Sequence, residues 1–349
     1  MAEVPRVELA PGYSISRLLK GGWQLAGGHG TVDTEAALAD MEAFAAAGIT
    51  TFDCADIYTG VEALIGRYLA RVAGNDKPAG GRIQVHTKCV PDLERLPHLT
   101  RDDIESMVDR SRMRLGVAVV DVVQLHWWDY DVPGVLDATG WLDHIRRAGK
   151  VRHIGLTNFD TPHVRALVQA GVPIVSHQVQ YSVLDRRPAG AMTELCDRHG
   201  IRLLAYGALA GGFLSETWLG ERAPRATLEN RSLTKYRLII DECGGWDYFQ
   251  ALLRAMKAIA DRHGVTIGAV ALRWTLDQPG VAGVIVGARH ARHLAATRAA
   301  FSVSLDASDL ARISSVQASA TGPSGDVYGL ERARGGPHAA IMRYNLQRT

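Results

Sequence analysis

Short β-branched runs alternate with longer stretches of helical period along almost the whole chain. The runs fall at Thr51–Cys54, Ile83–Thr87, Val119–Leu125, His153–Thr157, Ile174–Gln178, Arg202–Tyr206 and Gly283–Val286, and a further strand is expected ahead of them near Lys20–Gln24. The segments between them carry readable helix starts. Thr100 followed by Asp103 makes a capping box ahead of the apolar stripe Ile104, Met107, Val108 and Ser111. Asp160 or Thr161 opens another helix, with Pro162 in its first turn and Val164, Leu167 and Val168 as its buried face. Val61, Leu64, Ile65, Tyr68 and Leu69 trace a third at 3.6-residue spacing.

Strands apolar on both faces, each followed by a helix, predict a parallel sheet covered by helices. The first strand leads into Gly22-Trp23-Gln24-Leu25-Ala26-Gly27-Gly28, not into the GxGxxG turn of an open dinucleotide-binding sheet. Eight strands, seven of them followed by helices, predict instead an α/β fold of (β/α)8 TIM-barrel type. The interval from Gly207 to Gly283 is too long for one helix. It reads as a loop insertion after the seventh strand, Gly212 to Gly245, followed by helices Trp246–His263 and Ile267–Asp277. Residues 1–349 are expected to form one barrel domain, with the barrel over about 15–300 and a C-terminal extension over about 301–349. That extension carries Gly322-Pro323-Ser324-Gly325 and Gly335-Gly336-Pro337, as a tail laid over the barrel would.

Composition narrows the function classes. The 349 residues are 47% apolar and 22% charged, as in an ordinary globular chain. A formal net charge of +2 leaves no basic surplus to neutralise phosphates, which argues against a nucleic-acid partner. Residues 1–19 hold no signal-peptide-like run, and no apolar stretch approaches the ~18 residues that span a bilayer. Cys54, Cys89, Cys196 and Cys243 lie far apart, with no CxxC pair and no metal-ligand spacing. The expectation is a cytoplasmic protein with reduced thiols, no metal and no membrane partner; the composition specifies no oligomeric state.

In such a barrel the reactive groups sit at the C-terminal ends of the strands. Those ends carry Asp53 with Tyr58, then Lys88, then His126. Each has a bland reading when taken singly: a packing tyrosine, a rim histidine beside Trp127 and Trp128. Four ionisable types at three successive strand ends form a coherent acid–base set. A tyrosine becomes a usable proton donor near neutrality only when a cation favours its phenolate. Lys88 is that cation, Asp53 holds the lysine, and His126 orients a carbonyl oxygen or shares the proton. Trp23, Trp127, Trp128 and Tyr130 are candidates for the pocket wall. Cys54 and Cys89 each follow a reactive residue, so strand alternation turns them to the core. Arg186-Arg187-Pro188 reads as a solvated loop.

Asp53-Cys54-Ala55-Asp56-Ile57-Tyr58, Thr87-Lys88 and Leu125-His126 together resemble the catalytic tetrad of the aldo-keto reductases. Further segments resemble that family in the same order: Gly21-Gly22-Trp23, Ile154-Gly155-Leu156-Thr157-Asn158-Phe159, His177-Gln178-Val179-Gln180-Tyr181, Ala205-Tyr206-Gly207-Ala208-Leu209, and Val284-Ile285-Val286-Gly287-Ala288-Arg289. The resemblance implies an enzyme that reduces an aldehyde, ketone or sugar carbonyl by hydride transfer, with Tyr58 as general acid supported by Asp53, Lys88 and His126. It implies a nicotinamide cofactor held by Trp23, Asp53, Thr157, Asn158, Gln178, Tyr206, Gly207, Leu209, Gly287, Arg289, His293 and Thr297. It places a small carbonyl substrate against Trp23, Tyr58, His126 and Trp127. Arg289 is positioned for a ribose 2′-phosphate, which favours NADP(H), with NAD(H) possible. His293-Leu294-Ala295-Ala296-Thr297-Arg298 departs from the family, whose members often carry Glu-Asn on this helix. The tail carries Tyr328, Glu331, Arg332, Arg334, His338, Arg343 and Tyr344, and its apolar Ile341, Met342 and Leu346 suggest that part of it docks over the mouth or a neighbouring subunit; the C-terminal loop of the family contributes to substrate choice, which favours the mouth. Two alternatives stand beside this reading: an alcohol or aldose dehydrogenase running in reverse, and a nucleotide-binding regulatory subunit with little turnover.

Overall fold

The computed structural model describes residues 3–27, 30–73, 81–224, 228–287 and 289–347. Gly28 and Ala288, which fall within the motifs above, lie outside the described residues. The chain opens with an antiparallel hairpin, β1 (Arg6–Ala10) and β2 (Tyr13–Ser16). Eight parallel strands follow: β3 (Leu18–Gly21), β4 (Thr51–Asp53), β5 (Gln84–Cys89), β6 (Val120–Leu125), β7 (Val151–Thr157), β8 (Ile174–Gln180), β9 (Arg202–Tyr206) and β10 (Val281–Val286). They hydrogen-bond in chain order and close as a barrel, with β10 between β9 and β3. The fold is thus a (β/α)8 TIM barrel.

All six residues of β5 and all six of β6 are buried, as a parallel barrel inside a helical layer requires. The outer layer includes α1 (Thr34–Ala46), α2 (Val61–Ala73), α3 (Arg101–Leu115), α4 (Val135–Arg147), α5 (Thr161–Gln169) and α6 (Ala191–Arg198). The capping box at Thr100 and Asp103 is formed, and Asp160 caps α5 by accepting from His163 N–H. All four cysteines are buried and unbonded.

The first barrel strand begins earlier than expected. Lys20–Gln24 was anticipated as strand, but β3 runs Leu18–Gly21, and Trp23–Leu25 coil into a 3-10 turn. The reason lies in the hairpin: Leu9, Ala10, Tyr13 and Ile15 plug the N-terminal end of the barrel against Leu19, Val122, Leu204 and Ala282, which draws β3 towards them. The span Gly212 to Gly245 is likewise not only loop. It contains α7 (Arg231–Glu242), whose N-cap Asn230 accepts from Leu233 N–H. The long helices α8 (Gly245–His263) and α9 (Ile267–Leu276) then lead to β10. The last part of the chain forms α10 (Leu294–Arg298), α11 (Ala307–Gln317), α12 (Gly329–Arg332) and α13 (Pro337–Ala340). Among the described residues no helix is long and apolar enough to cross a membrane.

Candidate active site

The C-terminal ends of β3, β4 and β5 are locked together by backbone contacts. Gly22 N–H donates to the Asp53 carbonyl at 2.7 Å, and Cys54 N–H donates to the His86 carbonyl at 2.8 Å. A Cβ on Gly22 would stand 2.7 Å from the Val61 side chain, so only glycine permits this approach. The result brings Asp53 and Lys88 together in the interior. Lys88 Nζ donates to Asp53 Oδ2 at 2.7 Å and to the Cys54 carbonyl at 2.9 Å. Asp53 Oδ1 accepts from Gln178 Nε2 at 2.7 Å and from Gln124 Nε2 at 3.0 Å, so this carboxylate is satisfied on both oxygens. Burial alone would lower the Lys88 pKa, but Asp53 and Tyr58 outweigh it and hold the ammonium charged. Gln124 is not among the residues that the sequence singles out; its signal is a polar residue next to the C-terminal end of β6, a strand that also carries Asp121.

Tyr58 stands on the turn between β4 and α2, with its ring 5.3 Å from Lys88 Nζ and edge-on to Trp23 at 5.1 Å. Burial raises its pKa, and the Lys88 charge works against that rise. Trp23 is partly exposed and its indole N–H donates to Ser232 of α7 at 3.2 Å. His126 is 3% exposed, and its Nδ1 lies 3.2 Å from the Thr157 carbonyl. Burial, followed by the charge of Arg332, pushes its pKa down to about 3, so the ring is neutral. Trp127 turns away from this cluster. Its indole N–H donates to the Asp129 and Val132 carbonyls within its own loop. Trp128 meets His126 edge-on instead, with ring centres 4.2 Å apart. Alternation along the chain after β6 explains the exchange: with His126 facing inward, Trp127 faces the helical layer.

Asn158, Gln178 and Tyr206 lie at the ends of β7, β8 and β9. Asn158 adopts a left-handed conformation with φ 63°, held by its N–H donating to the Gln178 carbonyl at 2.9 Å. Tyr206 Oη donates to Asn158 Oδ1 at 2.8 Å, and Gln178 Nε2 serves Asp53 and Gln124. These bonds engage Asn158 through its oxygen and Gln178 through its nitrogen. Asn158 Nδ2 is left to donate and Gln178 Oε1 to accept, which is the complement of a primary carboxamide. With the aromatic Tyr206 beside them and a guanidinium beyond β10, this donor set fits a nicotinamide dinucleotide.

At the far end, Arg289 reaches back to donate to the Thr31 carbonyl, and Gly287 lies against the Gln24 side chain, where a Cβ would stand 2.5 Å from Nε2. Thr297 is buried and donates to the His293 carbonyl at 2.9 Å, while His293 is exposed at the start of α10. Gly207 takes φ +76° with Tyr236 of α7 pressed against it, and Leu209 opens the insertion.

Two segments cover the mouth, one from α7 and one from α12. Lys235 Nζ lies 4.9 Å from the Tyr206 ring centre and 3.3 Å from its hydroxyl. Burial lowers the Lys235 pKa and Glu331 counters it. Arg332 donates to the Asn158 and Trp127 carbonyls at 2.8 and 2.7 Å and stacks over Tyr130 and Tyr328. Arg187, anticipated in a solvated loop, is instead 2% exposed along its side chain and bound by Asp185 and Glu331. The partner that buries it lies in the C-terminal segment, where no local pattern in the sequence announces it.

The model of the aldo/keto reductase family matches residues 17–318. That stretch includes all eight barrel strands and the ends that carry Asp53, Tyr58, Lys88 and His126, so the chain belongs to the aldo/keto reductase family and is an oxidoreductase. Among relatives, it is 33% identical to flagellar radial spoke protein 5 of Chlamydomonas reinhardtii over 64% of this chain and 49% of that protein. The chain thus spans about half the spoke protein's length. It is 26% identical to the NADH-specific methylglyoxal reductase of Escherichia coli, over 85% of this chain and 93% of that one. It is also 26% identical to aldo-keto reductase YhdN of Bacillus subtilis, over 80% and 82%.

Proposed function

We propose that this chain reduces the carbonyl of a small aldehyde, ketone or sugar to the alcohol, using a nicotinamide dinucleotide as hydride donor. The single observation that carries the reading is the Asp53–Lys88 pair, buried at the barrel mouth with Tyr58 against the lysine. When bound, the nucleotide would supply the hydride; the residues supply position, charge and the proton. Asn158 and Gln178 would hold its carboxamide, Tyr206 its ring, and Gly207, Leu209, Gly287, Arg289, His293 and Thr297 the remainder. Tyr58 donates its proton to the carbonyl oxygen. Lys88 stabilises both the phenolate left behind and the charge that develops on the substrate. Asp53 keeps Lys88 charged and aimed, and Gln124 and Gln178 keep Asp53 aimed.

NADP(H) is favoured over NAD(H), because Arg289 offers a guanidinium at the adenosine end, where a 2′-phosphate would lie. The name of the Escherichia coli relative makes NADH the competing choice. A cytoplasmic setting agrees with four buried, unbonded cysteines. The test is a titration with NADPH and with NADH, read by quenching of tryptophan fluorescence and followed by a panel of carbonyl substrates. NADPH-selective quenching with turnover that depends on Tyr58 supports the reading; tight binding without turnover of any carbonyl or alcohol overturns it in favour of a regulatory role.

A further inference from the structure

The end of the barrel opposite the proposed reaction site holds a cavity of about 570 Å³, set between the N-terminal hairpin and the first residues of β5 and β7. Its walls include Arg6, Tyr13, Arg82, Gln84, Arg152 and His153, and no acidic residue is among the described residues that line it. The volume falls in the range of small-molecule sites. The reductase chemistry above uses none of these residues.

The three arginines are held in different ways. Arg6 spends its guanidinium on the protein: Nη1 donates to Thr50 Oγ1 at 2.7 Å, and Nη2 donates to Gln84 Oε1 at 2.9 Å and to the Ser14 carbonyl. It fixes the hairpin and contributes charge. Arg82 and Arg152 converge on a single oxygen instead. Arg82 Nη2 lies 2.7 Å and Arg152 Nε 3.5 Å from Asp121 Oδ1, while Asp121 Oδ2 accepts from Val85 N–H at 2.9 Å. Asp121 is buried, but the Arg82 and Arg152 side chains are 58% and 49% exposed. Each guanidinium carries five N–H groups, so donors beyond those aimed at Asp121 remain for a ligand.

Asp121 offsets one of the three charges, and Glu8 turns its carboxylate to the Gly12 N–H at 3.3 Å. Burial, then Asp121, raises the Tyr13 pKa, and Arg82, Arg152 and Arg6 all pull it down, so three positive fields meet at this ring. Like charges gathered around a cavity repel one another; stability gives no reason to gather them, and an anion does. Two guanidiniums meeting at one point call for an anion with more than two acceptor oxygens. A carboxylate has two oxygens and one charge. A phosphate group has three or more and carries nearly two charges at neutral pH, and its oxygens match the guanidinium fork. Tyr13 and His153, with ring centres 4.7 Å apart, stand beside it as an aromatic wall.

We propose that this end of the barrel is a second binding site, for a phosphate group carried free or as the monoester of a small organic molecule. Arg82 and Arg152 bind its oxygens, Arg6 adds charge, and Tyr13 and His153 form the wall.

Isothermal titration of the full chain in phosphate-free buffer, with inorganic phosphate, glycerol 3-phosphate and acetate, reads the site. The better of the two phosphates should bind at least about tenfold more tightly than acetate, and the His153 imidazole NMR signals should move with the same midpoint. Arg152→Gln leaves the Arg82–Asp121 pair intact and should weaken phosphate binding by about tenfold. Arg82→Gln added to it should abolish binding. Arg289→Ala, at the other end of the barrel, should leave the affinity unchanged, which separates this site from the proposed nucleotide site. Tighter binding of glycerol 3-phosphate than of inorganic phosphate assigns the site to an organic phosphomonoester; equal or weaker binding assigns it to free phosphate. Binding of neither phosphate, acetate bound as tightly, an affinity that survives loss of both arginines, or one lost in Arg289→Ala overturns the proposal.

Discussion

Arg187 and Glu331, 144 residues apart, make a two-pronged buried ion pair: Nη1 lies 2.9 Å from Oε2 and Nη2 3.2 Å from Oε1. Asp185 binds the same guanidinium, and Lys235 lies 3.8 Å from Glu331. Lys235 and Arg187 hold the Glu331 pKa down to about 2 despite its burial. The pair fastens α12, and with it Arg332 and Tyr328, onto the loop that follows β8. Removing one partner strands the other's charge, so Glu331→Ala should cost about 3 kcal/mol of stability in urea unfolding. It should also raise KM for carbonyl substrates, since the covering segment loses its anchor. An unchanged KM would mean that α12 stays in place without the pair.

Tyr58→Phe removes the proposed proton donor and keeps the ring against Trp23. We expect kcat to fall by about 10²-fold or more, with nucleotide quenching of tryptophan fluorescence retained. Retained kcat would move proton donation to another group.

Arg289→Ala tests the nucleotide assignment separately from the chemistry. The ratio of NADPH to NADH affinity should drop by about tenfold, or ~1.4 kcal/mol, with kcat at saturating nucleotide close to the parent. Equal loss for both nucleotides would assign Arg289 to the shared part of the cofactor.

Asp56 links stability to pH. Burial and the neighbouring Glu62 push its pKa up to about 8, against hydrogen bonds from Val90 N–H and Gln347 Nε2. Between its unfolded value near 4 and this folded value, the native state holds a proton that the unfolded chain has lost. Its contribution to stability is therefore complete below pH ~4 and is lost as pH rises through about 8. Asp56→Asn removes the titration. The difference in Tm between variant and parent should shift in the variant's favour by about 2 °C or more from pH 5 to pH 9. A difference that does not change with pH would show that Asp56 is charged throughout.

The strand ends were legible in the sequence because a parallel barrel buries both faces of each strand, so Asp53, Lys88 and His126 stand out as ionisable residues at or just past the ends of buried strands. The caps at Thr100 and Asp160 were legible because side chain and backbone meet within three residues. The hairpin Arg6–Ser16 was not: its two strands are short, and Leu9 and Ile15 acquire meaning only through contact with Val122 and Leu204. Helix α7 hid behind mixed polarity, although Asn230 marks its start. Arg187, Lys235 and Glu331 were the least legible, since each owes its burial to charges far away in the chain. Trp127 and Trp128 are both wall candidates in the sequence because adjacent aromatic residues give no sign of which one faces inward; the indole N–H of Trp127, bonded within its own loop, is what separates them.

The pairing of β10 with β3 sets a timetable. Val284 lies beside Leu18, so the sheet cannot become a ring until β10 itself has been synthesised. Asp53, Tyr58 and Lys88 leave the ribosome early, but they have no enclosed cavity to work in until β10 arrives, and no cover until Glu331 finds Arg187. Enclosure of the site is thus a property of contacts far apart in sequence, β10 against β3 and Glu331 against Arg187, rather than of the residues that do the chemistry.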